Sequence, residues 1–148
     1  MKTFLAMLSA LVVATVSVRA ADDTALLNTL GATTGQTVLL THMAVGTLAD
    51  AFAGKVYKKD QASNVINTYI GVTTKTKEQL SKLAEAGTLT KEDQQFVEHT
   101  VEVLTLVVRE AGDLKDYISS GKPGDAQAFE SSRKKALAEI QSLLGMKD

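Results

Sequence analysis

The sequence predicts an all-α fold, an up-down-up-down four-helix bundle preceded by a signal peptide. Three observations carry that expectation. Apolar residues recur at spacings of three and four over long stretches, and the alternation of a strand does not appear. Glycines and the single proline divide the chain after its N-terminus into four periodic segments with short connections. The first 20 residues have the layout of an export signal.

That N-terminus reads MKTFLAMLSALVVATVSVRA, with Lys2 as a short basic start and an apolar stretch from Phe4 to Val18. Val18-Arg19-Ala20 before Ala21 places an aliphatic and a small residue where an export peptidase needs them. A run of about 15 apolar residues is shorter than the roughly 20 that cross a bilayer. Residues 1–20 are therefore expected to be removed, leaving residues 21–148 as a single domain with no membrane span and a periplasmic or secreted location.

The first helix is expected from about Thr24 to Ala53, with Asp22 and Asp23 as caps and Gly54 as stop. Its inward stripe is read as Leu27, Leu30, Thr34, Thr37, Thr41, Val45, Leu48 and Phe52. The second begins after Asp60 and ends before Gly87, with Ala62, Ile66, Tyr69, Thr73, Leu80 and Ala84 on one face. The third opens at Thr90-Lys91-Glu92-Asp93, similar to a capping box. It carries the cleanest stripe, including Val97, Thr100, Leu104, Val107, Ala111, Leu114 and Ile118, and stops at Gly121. The fourth follows Lys122-Pro123-Gly124-Asp125 and shows Phe129, Ala136, Leu137, Ile140, Leu143 and Leu144 before Gly145. Connections of roughly 3 to 6 residues force neighbouring helices to run antiparallel.

Composition removes several classes of function. Taking Lys2 and Arg19 from the 16 basic residues leaves 14 against 17 acidic ones, a formal charge of −3 for the mature chain. Mild acidity without a basic block argues against nucleic acid as a partner. With no cysteine there is no disulfide, no thiolate zinc site and no haem attached through paired cysteines.

His42, inside the apolar run TVLLTHMAVG, is the first candidate site residue. With Thr41 towards the axis, His42 falls on a flank shared with Gly31, Gly35, Gly46 and Ala49, where small residues let another helix come close. Arg133 interrupts the apolar stripe of the fourth helix between Phe129 and Leu137, and a cation aimed at a core must find a partner. Helix lengths bring Arg133 level with Thr41 and His42 and with Tyr69 and Thr73. These five residues are expected to form one polar layer. Lacking a carboxylate, it would either close on itself or receive a small anionic ligand.

Metal chemistry fits less well. His42 lies about 18 residues from the start of its helix and His99 about 8 from its own, an axial offset on the order of 15 Å, too far for one iron. Met43 diverges from His42 on the helix, and no Glu-x-x-His pair of the di-iron type occurs. No metal site, cofactor or catalytic constellation is expected. Leu39 and Met43 on the first helix and Val103, Leu106 and Tyr117 on the third are read as outward apolar residues, which points to a homodimer. The function expected is that of an exported, non-enzymatic helical bundle binding a small ligand, an anion among the candidates, or a partner protein in the bacterial envelope. Two alternatives are a b-type haem or metal carrier with His42 as an axial ligand, and a structural envelope protein that self-associates.

Overall fold

The structure, a computed structural model, describes the backbone of residues 2–146 and the side chains of residues 25–146. The export signal expected over residues 1–20 lies outside the residues whose side chains are described. Four helices follow one another: α1 (Lys2–Ala53), α2 (Lys59–Glu85), α3 (Lys91–Ser120) and α4 (Pro123–Leu144). Among the described residues there is no strand, and no helix is long and apolar enough to cross a membrane. The chain divides into two compact units, Met1–Thr33 and Thr34–Asp148. The first unit is helical, and none of its residues from Ala25 to Thr33 is buried, including the expected stripe residues Leu27 and Leu30.

Local chemistry sets the helix ends. The Thr90 hydroxyl accepts the Asp93 N–H at 3.2 Å and donates to the Asp93 carboxylate at 2.7 Å, so α3 starts where its Thr-x-x-Asp pattern places it. Gly121 closes α3 in the left-handed region (φ 66°), a conformation that costs glycine little, and its N–H returns to the Tyr117 carbonyl. Pro123 then opens α4 at a position where a missing N–H costs nothing. For α2, the Lys58 N–H is satisfied by Gln61 Oε1 at 3.0 Å.

The order of residues in the core establishes the topology of the second unit. One cluster joins Val45, Leu48 and Ala49 of α1 to Ala62 and Ile66 of α2, Ala111, Leu114 and Ile118 of α3, and Phe129 of α4. The other joins Val38 of α1 to Leu80 of α2, Val97, Val103, Leu104 and Val107 of α3, and Ala136 and Ile140 of α4. Passing from the second cluster to the first, residue numbers rise along α1 and α3 and fall along α2 and α4. Consecutive helices therefore run in opposite directions, as short connections require.

The inward face of α1 is rotated from the one read in the sequence. Val38, His42, Val45, Leu48 and Ala49 are buried with Gly35 and Gly46, whereas Thr37 is exposed and Thr41 half-buried. Threonine is a poor marker of the inside here, because its hydroxyl can bond a carbonyl of its own helix at the surface. Thr41 donates to the Thr37 carbonyl at 2.8 Å, and Thr47 to that of Met43 at 2.9 Å. Small residues mark the seam instead. A Cβ on Gly35 would lie 2.7 Å from Leu144 Cδ2, so glycine there lets α4 close on α1.

Candidate functional site

Rotating α1 puts His42 inside, 6% exposed, where it meets Glu110 of α3, which is fully buried. His42 Nδ1 and Glu110 Oε2 are 2.8 Å apart, a hydrogen bond holding one proton between imidazole and carboxylate. Glu110 is inside because its spacing demands it. Val103, Val107, Glu110 and Leu114 follow one another at intervals of four, three and four, and all are buried. Burial pushes the Glu110 carboxyl above its ordinary value. The hydrogen bond to His42, the His42 charge and the Arg133 charge oppose that shift, and Glu130 adds slightly to it. Its second oxygen, Oε1, is buried with no hydrogen-bond partner among the described residues.

Arg133 approaches the same place from α4. Its guanidinium lies against Gly46, one turn beyond His42, where an added Cβ would meet Nε at 3.4 Å and Nη2 at 3.5 Å. The side chain is 36% exposed and pairs with Glu130 on its own helix at 3.2 Å. Glycine at 46 thus leaves room for a flat cation on the α1 backbone, with one edge towards solvent and its field reaching Glu110.

Two of the five residues expected in the polar layer, His42 and Arg133, act on Glu110. The hydroxyls of Thr41 and Thr73 are met within their own helices. Thr41 bonds within α1, and the buried Thr73 donates to the Tyr69 carbonyl at 2.7 Å within α2. The Tyr69 ring is half-buried against the cluster around Val45 and Ile66. The expectation of a layer without a carboxylate is therefore corrected: Glu110 supplies one, hydrogen-bonded to His42 and within the field of Arg133. Sequence reading missed it because a glutamate is ordinarily taken as solvent-facing, although its place between Val107 and Leu114 was visible.

The outward apolar set also changes. Val103 is fully buried, and Leu39 and Leu106 are half-buried against the cluster that contains it. Tyr117 packs edge-on against Phe52, with ring centroids 5.7 Å apart and planes at 86°. Of the five, Met43 is exposed, at 57%, and it lies beside Leu40 at 63%. The second histidine, His99, approaches Glu139 of α4 at 3.8 Å. Among the described residues no three His, Cys, Asp or Glu side chains gather as a metal would need.

A groove runs along the outside of α3 and α4. One cavity of about 330 Å³ is lined by Glu102, Val103, Thr105, Leu106, Lys135 and Glu139. A second of about 180 Å³, lined by Leu106, Arg109, Ser131, Ser132 and Lys135, adjoins it through the shared Leu106 and Lys135. Because the helices are antiparallel, Glu102 and Glu139 meet at one end of this groove, and Arg109 and Ser131 at the other. Asp113 anchors the basic end: it accepts a hydrogen bond from Ser132 and stands 3.9 Å from Arg109 Nε.

Comparison of the chain with protein-family models, with curated proteins and with solved structures finds no match.

Proposed function

We propose that this protein is exported to the bacterial envelope and there acts as a non-enzymatic binding protein, holding a small ligand in the groove between α3 and α4. The carrying observation is the pair of adjoining cavities that share Leu106 and Lys135. The larger, at about 330 Å³, reaches the lower end of the range used by small-molecule sites, roughly 300–1,000 Å³. An apolar floor between charged groups is the composition such sites use to combine affinity with orientation. The His42–Glu110 pair supports a non-catalytic role for the interior. His42 Nδ1 and Glu110 Oε2 bond each other inside a seam, which fastens α1 to α3.

A thermal-shift screen with amino acids, short peptides, dicarboxylates and amines tests this. Wild type is expected to be stabilised by at least one class, because anything that binds only the folded state raises its stability. Leu106→Trp, which fills the groove, and Lys135→Glu, at an exposed position, are expected to lose that response. A response that survives both variants would place the ligand elsewhere.

Self-association is a second reading, favoured by the neighbouring exposed side chains of Leu40 and Met43 on α1. Replacing both with Glu should turn a dimer into a monomer in sedimentation velocity, with helicity unchanged. A wild type already monomeric at high concentration removes that reading.

A further inference from the structure

We propose that the groove between α3 and α4 recognises a short peptide of about three residues with both termini free, its ammonium group between Glu102 and Glu139 and its carboxylate at Arg109, Lys135 and Ser131. This rests on the binding role proposed for that groove and names the ligand class.

Charge and length carry the inference. The groove is acidic at one end and basic at the other, with Leu106 between. Glu102 and Arg109 are seven residues apart on α3, an axial distance of about 10 Å. Fully extended chain spans at most about 3.3–3.6 Å per residue, so three residues cover that distance. A single amino acid is too short to reach both ends, and a dicarboxylate or diamine would set like charge against one of them.

Glu139 at the acidic end stands 3.8 Å from His99, and the other charged groups of the groove are open to a ligand. Neither Glu102 nor Lys135 has an ion-pair partner among the described residues, although Glu139 stands one turn from Lys135 on α4. Arg109 is 71% exposed, and its 3.9 Å approach to Asp113 is too long for a hydrogen bond. Its planar donors therefore remain able to grip a carboxylate with two parallel bonds. Asp113 and Ser132 steady that end from below. Along the floor, the Thr105 hydroxyl donates to the Val101 carbonyl at 2.8 Å, leaving its oxygen lone pairs to accept a peptide N–H.

The test is isothermal titration of the full-length mature protein with tri-alanine, N-acetyl-tri-alanine and tri-alanine amide, beside Lys135→Glu and Leu106→Trp. Tri-alanine is expected to bind wild type. Blocking either terminus, or introducing Lys135→Glu, should weaken binding by about tenfold or more, the loss of one charge-assisted contact. Circular dichroism of Lys135→Glu should match wild type, since that side chain is exposed. Blocked peptides that bind as tightly as tri-alanine overturn recognition of the termini. If their binding is still lost in Leu106→Trp, the groove remains a binding site of another specificity. Absence of tri-alanine binding, with another screened class stabilising wild type but not Leu106→Trp, overturns the peptide and keeps the site. No response to tri-alanine or to any screened class overturns both.

Discussion

His42 Nδ1 and Glu110 Oε2 stand 2.8 Å apart with both side chains closed inside the four-helix unit. This contact joins α1 to α3 at residues 68 positions apart in sequence, and it explains how an apolar run such as TVLLTHMAVG tolerates a histidine. Breaking a buried pair from one side leaves the other group without its partner. His42→Leu is therefore expected to cost about 3–5 kcal/mol in urea denaturation. Glu110→Leu should cost less, and His42→Leu with Glu110→Leu less than the two separately, because no buried polar group is then stranded. Strictly additive losses would mean that the two residues are not coupled.

Stability should carry an unusual pH dependence from the same pair. The folded protein raises the Glu110 carboxyl above its ordinary value of 4.5, so it holds that proton more tightly than the unfolded chain does. The stabilisation is complete below 4.5 and is lost as pH rises through the folded-state value. The stability of wild type relative to Glu110→Gln should therefore fall as pH is raised from 4.5, opposite in sign to acid denaturation by paired carboxylates. Arg133→Met should shift this loss to higher pH, since the Arg133 charge holds the Glu110 value down. A relative stability that climbs with pH would contradict the assignment.

Two helical glycines should answer differently to alanine. At Gly71, inside α2, an added Cβ meets nothing within 4 Å, so Gly71→Ala is expected to stabilise by up to about 1 kcal/mol. Such a gain raises the melting temperature by a few degrees. At Gly35 the same Cβ would sit 2.7 Å from Leu144 Cδ2, and displacing that side chain offsets the gain in helix propensity. Equal melting temperatures for the two variants would show that the α1–α4 seam is looser than described.

Intact mass and N-terminal peptide analysis of protein from the native envelope should find a chain starting at or near Ala21. The basis is the short apolar stretch ending in Val18-Arg19-Ala20. Recovery of the Met1 form from membranes would oppose export by cleavage.

The sequence made some features plain and hid others, for reasons that differ by residue. The ends of α3 and α4 were legible because Thr90, Gly121 and Gly145 act through local backbone geometry, which needs no tertiary contact. Val97, Leu104, Val107, Leu114 and Ile118 were legible because long apolar side chains at helical spacing have one place to go. The face of α1 was not, because Thr, Ala and Gly differ little in hydrophobicity and the close approach of Leu144 to Gly35 is a tertiary contact. Glu110 stayed hidden because its burial depends on a partner from another helix. The groove formed by Leu106, Lys135 and their neighbours depends on how α3 and α4 pack, which periodicity does not encode.

In the proposed function the His42–Glu110 layer is internal structure and the α3–α4 groove holds the ligand. Amide chemical-shift mapping of the mature protein titrated with tri-alanine tests it most directly. Shifts are expected to concentrate between Glu102 and Arg109 and between Ser131 and Glu139, leaving Gly46 and its neighbours on α1 nearly unmoved. Changes centred on His42, Gly46 and Glu110, with the groove silent, would contradict it.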